Sequence, residues 1–392
     1  MAATLATQAV HGGEAHRKPY GAITTPIVQS STFTFQDTAE ILDFMHSKEQ
    51  GEANRDEYGR YSNPTQTAAE NKLAALEGGE RALLFASGMS AIATTFLTLL
   101  SSGDHMLLAR DTYHRTKELA QAILSRLGIE TTLVPVDQPE AIRAAIRPNT
   151  RLIFAETPTN PYLRVLDLPA VVEIAQGHGL ITVVDSTFAT PINFRPLDFG
   201  ADLVVQSATK YLGGHNDLLA GAVIGSRDRL ADIATARGIL GGVSNPNDAY
   251  LLLRGLKTLD LRVQRQNENG LQVARFLEDH PSVSCVYYPG LESHPDYAVA
   301  RRQLSGFGGV VSFEIDGDFE RTARFIDRLR LPYIGPTLGG VESIVQQPAA
   351  LFSLEYVERK AAGIRDNLVR YAVGVEAVED IIEDLRQALA GI

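Results

Sequence analysis

One cysteine, Cys285, among 392 residues leaves no partner for an internal disulfide. The sequence shows neither the apolar stretch of a signal peptide nor a run long enough to cross a membrane, and it reads as cytoplasmic. There is no basic run, and the formal net charge is -11; a nucleic-acid surface, which neutralises phosphates with clustered Lys and Arg, is therefore not expected. Internal repeats and low-complexity tracts are missing too. The first strand-turn-helix lacks the clustered glycines that let a backbone approach a dinucleotide pyrophosphate, which sets a nicotinamide dehydrogenase aside. No metal-ligand set is assigned.

What is present is apolar material: 44% hydrophobic residues over this length can bury a large core and predict at least two domains. Residues 1–60 are irregular, with one helical pattern over 38–48, and read as an arm. From residue 65 short apolar runs at 81–86, 105–109, 132–136, 152–155, 181–184 and 203–205 alternate with helical patterns such as 66–76 and 116–127. Strands without polar alternation fit a mostly parallel, doubly wound sheet covered on both faces, with ligands gathered at the carboxyl ends of the strands. A long helical pattern over 248–279 leads into a second α/β unit, with strands expected at 283–288, 310–315 and 368–373 and helices at 319–329 and 375–389. The expected division is an arm over 1–60, a large domain over 61–255 and a smaller one over 256–392.

Three strand ends carry the chemistry. Ser87, Gly88 and Met89 follow a strand and open a helix, where backbone amides point at an anion; an isolated Ser-Gly pair is also an ordinary capped turn. Val183-Val184-Asp185-Ser186-Thr187 ends an apolar strand in a carboxylate, suited either to capping a helix or to keeping a pyridine nitrogen protonated. In Val205-Gln206-Ser207-Ala208-Thr209-Lys210 two hydroxyls precede an amine, a combination that suits a phosphate and an aldehyde. Lys210 alone would be a solvated loop lysine; beside Asp185 it is read as a cofactor lysine.

The stretch Ser207-Ala208-Thr209-Lys210-Tyr211-Leu212-Gly213-Gly214-His215-Asn216-Asp217 resembles the cofactor-lysine signature of the Cys/Met metabolism family of pyridoxal 5'-phosphate (PLP) enzymes, and the likeness spans nearly the whole chain. The resemblance implies fold type I of PLP-dependent enzymes, with a mostly parallel seven-stranded sheet in the large domain and a smaller C-terminal α/β domain. It implies Lys210 as the Schiff-base residue, Asp185 at the ring nitrogen and Asn160 near the ring hydroxyl. Ser87, Gly88, Met89, Ser207 and Thr209 are then implied around the phosphate, with Thr187 beside the ring. Tyr113 matches the tyrosine that stacks on the ring and exchanges protons; Tyr58 and Arg60 match residues given to a neighbouring subunit's phosphate, in a homotetramer. Arg370, on an apolar strand where an unpaired charge is costly, is assigned to the substrate α-carboxylate, with Ser343 beside it.

Within the family, substrate-facing residues separate the reactions. Methionine γ-lyases carry a reactive cysteine shortly after the stacking tyrosine, where this sequence has His114 and Arg115. Arg115 suits an anionic leaving group of an activated homoserine, although it is equally an ordinary helix-start arginine. Runs such as Ile239-Leu240-Gly241-Gly242 and Gly363-Ile364-Arg365-Asp366-Asn367 resemble plant-type cystathionine γ-synthases, and Glu57 and Glu342 stand where those enzymes place carboxylates for an incoming cysteine. The implied reaction is γ-replacement on an O-phosphoryl, O-succinyl or O-acetyl homoserine by cysteine, giving cystathionine. The rivals are a γ-lyase, a homoserine sulfhydrylase, a specialised enzyme for another γ-substituted amino acid, and, from another class, a PLP-binding regulatory protein without turnover. Two departures stand out: Ala350-Leu351-Phe352-Ser353, where relatives often carry Met-Ser or Met-Thr, and Ser186, where plant relatives tend to have Gly.

Overall fold

Short apolar runs that end in polar residues build the central sheet of the computed structural model, which describes residues 4–50, 55–135, 137–351 and 363–392. Its strands are β1 (Arg81–Phe85), β2 (His105–Ala109), β3 (Glu130–Val134), β4 (Thr150–Glu156), β5 (Ile181–Asp185), β6 (Leu203–Gln206) and β7 (Gly221–Gly225). They lie in the order β1-β7-β6-β5-β4-β2-β3, with β2 to β6 parallel and β7 antiparallel to both neighbours. Alternate residues feed opposite faces. Leu107, Ile153 and Val184 pack with the helix Leu168–Gly177 on one side, and Leu108, Phe154 and Val183 pack with the helix Gly88–Leu99 on the other. Two covered faces explain why these strands read as continuous apolar runs.

The second sheet comprises β8 (Val283–Tyr287), β9 (Val310–Ile315), β10 (Tyr333–Ile334), β11 (Ile344–Gln346) and β12 (Leu368–Ala372), ordered β10-β11-β12-β9-β8. Val369 and Tyr371 of β12 join Phe313, Phe325, Ile381 and Leu385 in a core under the helices Phe319–Arg328 and Val378–Leu389. Arg370, between them, faces the other way, toward the large sheet. The architecture is α/β, with a large, mostly parallel sheet and a second, smaller one.

The structure differs from the sequence reading in places. The expected helix over 248–279 is two helices, Pro246–Leu256 and Leu259–Glu278. They part because Gly255 O turns to Thr258 N and Arg262 Nη2, while Gly255 itself lies against the Leu212 and Gly213 carbonyls, where a Cβ would sit 2.3 Å from oxygen. The helix expected over 116–127 begins at His114, widens into a π-turn over Leu119–Ile123 and tightens into a 3-10 turn over Leu124–Leu127. The strand expected over 132–136 begins at Glu130 and ends at Val134; residue 136 lies outside the described residues. Strands β7, β10 and β11 lacked a readable pattern. β7 is bounded by glycines, and a Cβ on Gly221 would meet Ser87 O at 2.2 Å.

Candidate active site

Because β1, β2, β4, β5 and β6 share a direction, their carboxyl ends bring five loops to one edge. Ser87 follows β1, Tyr113 follows β2, Asn160 follows β4, Asp185 ends β5 and Ser207 to Lys210 follow β6. The second sheet closes this edge through Ser312 Oγ, which donates to Pro161 O at 2.6 Å, and through Arg370.

Lys210 and Arg370 form the centre. Lys210 Nζ donates to Thr337 Oγ1 at 2.8 Å; Arg370 Nη2 donates to Thr337 O at 3.1 Å and Nη1 to Asn160 Oδ1 at 3.1 Å. Burial, and then the charge of Arg370, push the Lys210 amine down to about 8, so that more of it is neutral near pH 7 than of an exposed lysine. Arg370 is 4% exposed, and burial pushes its guanidinium down to about 10. Among the described residues no carboxylate forms an ion pair with it, and its buried Nε has no partner. A buried cation without an anion costs several kcal/mol, and an arriving carboxylate would relieve that cost. Thr337 was not read from the sequence: it lies in a Gly- and Pro-containing loop with no apolar period to flag it.

Asp185 Oδ1 accepts from Thr187 N at 3.0 Å and Thr187 Oγ1 at 2.6 Å, leaving Oδ2 outside those bonds. Burial raises its carboxyl above the ordinary range, while the Thr187 bonds favour the charged form. Thr187 Oγ1 also accepts from Ser207 N at 2.8 Å, tying the ends of β5 and β6 together. Tyr113 is anchored by its main chain, whose N–H donates to Glu156 Oε2 at 2.7 Å. Glu156, the last residue of β4, was also not singled out, although it ends an apolar run in a carboxylate just as Asp185 does.

Around the opposite rim, Ser87 caps the helix Gly88–Leu99 by accepting from Ser90 N at 3.1 Å. A Cβ on Gly88 would stand 3.0 Å from Ser207 Cβ, so glycine keeps this helix start close to the Ser207 turn. Met89 is half-buried in the same first turn. Ser207 Oγ makes no hydrogen bond within the described residues. Thr209 Oγ1, by contrast, is committed: it donates to Ala220 O at 3.1 Å and accepts from Ala220 N at 3.0 Å.

Other sequence-predicted residues are not brought into this cluster. Ser343 is buried, but its hydroxyl donates to Glu376 Oε2 at 3.0 Å and accepts from Gly374 N, and its own N–H goes to Glu376 Oε1. Thr337, rather than Ser343, stands beside Arg370. Glu342 is exposed and accepts from Asn216 Nδ2 at 2.9 Å. Glu57 pairs with Lys48, and Arg115 pairs with Glu118 at 2.6 Å on the surface. Tyr58 is 41% exposed; Arg60 donates to Gly238 O and stacks 4.8 Å from the Tyr61 ring. These two line a separate open cavity of about 220 Å³ with Ser30, Asn63 and Ser244. Of the two departures, Ser186 is buried with its hydroxyl unpartnered among the described residues, and residues 352–353 lie outside them.

The residues present fit the implied cofactor: an amine of lowered basicity, a buried carboxylate with one oxygen outside its own hydrogen bonds, and a glycine-held cradle of backbone amides beside an uncommitted hydroxyl. No helix among the described residues is long and apolar enough to cross a membrane. Comparison with known proteins gives the same direction. The family described as Cys/Met metabolism PLP-dependent enzyme matches residues 6–390. The chain is 48% identical over 388 residues to cystathionine gamma-synthase 1, chloroplastic, of Arabidopsis thaliana, covering 98% of this chain and 68% of that protein. It is 42% identical to a cystathionine gamma-lyase of Bacillus subtilis, covering 98% and 99%. The crystal structure of a cystathionine gamma-lyase from Lactobacillus plantarum, solved with L-serine, superposes with a TM-score of 0.91 at 36% identity, covering 100% of this chain and 99% of that one.

Proposed function

Because the chain belongs to the Cys/Met metabolism PLP-dependent enzyme family, we propose that it catalyses γ-replacement on an O-activated L-homoserine, joining it to L-cysteine to give L-cystathionine. The observation that carries the amino-acid reading is the buried, carboxylate-free guanidinium of Arg370 next to the amine of Lys210. Plant synthases among the relatives support replacement over elimination, as does the lack of a cysteine after Tyr113.

Lys210 would hold the cofactor aldehyde, Asp185 Oδ2 its ring nitrogen, Asn160 the region of its ring hydroxyl, and the amides of Ser87, Gly88 and Met89 with the Ser207 hydroxyl its phosphate. When bound, PLP supplies an aldehyde for an amine and a protonated ring that withdraws electrons from Cα. Asp185 sustains that protonation with an opposite charge. Arg370 takes the substrate carboxylate in a fork, braced by Asn160 and the Thr337 carbonyl. The Lys210 amine, as a free base, would have suitable strength for the α-proton, steered by Thr337 Oγ1. Tyr113 is available for a second proton movement near Cγ. Arg115, whose Nη1 pairs with Glu118, is the proposed contact for an anionic leaving group. Glu342, exposed, and Glu57, half-buried, are the proposed contacts for the incoming amino group. Tyr58 and Arg60 belong to the arm over residues 1–60 and are proposed to complete a neighbouring subunit's site within a homotetramer.

The relatives named γ-lyases, 42% identical across nearly the whole chain, favour elimination as a second reading. Incubating PLP-loaded protein with O-phospho-, O-succinyl- or O-acetyl-homoserine, with and without L-cysteine, separates the two. Cystathionine formed only with cysteine supports replacement and identifies the ester, whereas 2-oxobutanoate formed regardless of cysteine supports elimination.

A further inference from the structure

A second carboxyl stands beside Asp185. Glu156 and Asp185 are register partners, the last residues of the parallel strands β4 and β5. Glu156 is 4% exposed and Asp185 8% exposed, and no ion pair among the described residues compensates Glu156. Two buried carboxylates so placed are costly to ionise together, because a charge on one raises the cost of charging the other in a medium that already penalises charge. Hydrogen bonding decides which keeps the proton. Asp185 receives two bonds from Thr187 that favour its anion, whereas Glu156 receives one, from Tyr113 N. The remaining charged groups facing Glu156 are Asp111, which opposes its ionisation, and Lys117 and Arg370, which favour it. Lys117 Nζ is bonded to Arg110 O instead, and Arg370 to Asn160 and Thr337. Burial, and then the charge of Asp185, hold the Glu156 carboxyl well above the ordinary range.

We propose that Glu156 is a positioning residue: a neutral carboxyl that anchors the Tyr113 main chain to the sheet edge and leaves Asp185 as the single negative charge there. The inference rests on the PLP reading for its consequence, and its test has an arm that does not. In cofactor-free protein at neutral pH, the infrared difference between wild type and Glu156→Gln should contain the carbonyl stretch of a protonated carboxyl; its absence would overturn the proposal. In PLP-loaded protein, Glu156→Gln keeps an acceptor for Tyr113 N and the neutral charge, so cofactor retention and the pH midpoint of the visible absorbance should be unchanged and kcat should stay within about twofold. A shifted midpoint would mean that Glu156 is charged. Glu156→Ala should retain the cofactor but lose about tenfold in kcat with little change in KM, and should alter the circular dichroism of the bound cofactor. Wild-type kcat and dichroism in that variant would remove the anchoring role. Should the alanine variant not fold, the glutamine variant and the infrared arm still decide. If the wild-type chain takes up no PLP, the functional reading falls while the infrared result still judges Glu156.

Discussion

The Lys210 edge and the Tyr58–Arg60 surface were assigned to one site from the sequence, and they differ in how complete the single chain makes them. At the edge, polar groups fix one another: Lys210 by Thr337, Arg370 by Asn160 and Thr337, Asp185 by Thr187, and Tyr113 by Glu156. Arg370 Nε is left over there, buried and without a partner among the described residues. At the arm surface, Arg60 spends itself on Gly238 O and the Tyr58 and Tyr61 rings, half in solvent, and no described anion reaches it. A preorganised set with unmet valence is what a ligand-binding centre requires, and an exposed aromatic–arginine cluster is what an interface contributes.

The sharpest way to break this contrast is at its centre. Lys210→Ala should lower turnover by at least about 10³-fold and abolish trapping of PLP by borohydride. A variant that keeps both trapped cofactor and full activity would remove Lys210 from the centre. Arg370→Ala comes next: KM for the amino acid should rise about 10²-fold with the cofactor spectrum retained, because a charge-assisted fork to the carboxylate is lost. Arg370→Lys should recover only part of that loss, since an ammonium cannot reproduce the fork.

The arm surface gives a smaller and more discriminating effect. Arg60→Ala should weaken PLP retention by about tenfold while leaving the Lys210 chemistry intact. If Arg60 serves a neighbouring subunit, refolding equal amounts of Arg60→Ala and Lys210→Ala chains together should restore about a quarter of the wild-type sites. Half the dimers of a symmetric pair would then be hybrids, each with one intact site of two. Assayed at limiting PLP, where the Arg60→Ala parent is mostly cofactor-free, activity no higher than that of the parent would return Arg60 to its own chain.

Most of the edge was legible because its residues sit where strand periodicity stops. Asp185, Ser207 and Lys210 each follow an apolar run whose end could be read within a residue or two, and parallel order then gathers them without further information. The family likeness placed Asn160 and Tyr113, whose local sequence carries no period. What escaped has physical causes. Strand β7 is short and glycine-bounded, and the kink at residues 257–258 depends on Gly255 meeting the Lys210 turn, a tertiary contact that helical periodicity does not encode. Thr337 and Ser343 lie in one loop, and only the backbone path decides which hydroxyl turns to Lys210 and which to Glu376.

The smallest expected effect on turnover lies beneath the edge, and it sharpens the contrast through stability. Glu77 is buried; its Oε1 accepts from Gln206 Nε2 at 2.7 Å, while its Oε2, Gln206 Oε1 and Ser186 Oγ all lack partners among the described residues. Burial pushes the Glu77 carboxyl up to about 8 from 4.5. Between those values the folded chain holds a proton that the unfolded chain has released, so the Glu77 contribution to stability falls as pH rises from about 4.5 to about 8 and levels off above. Glu77→Gln removes that titration and keeps an acceptor for Gln206. Its melting temperature relative to wild type should therefore rise progressively from pH 5 to pH 8, corresponding to a gain on the order of 3 kcal/mol, with kcat within about twofold. A melting difference that does not change with pH would show that Glu77 is not the titrating group.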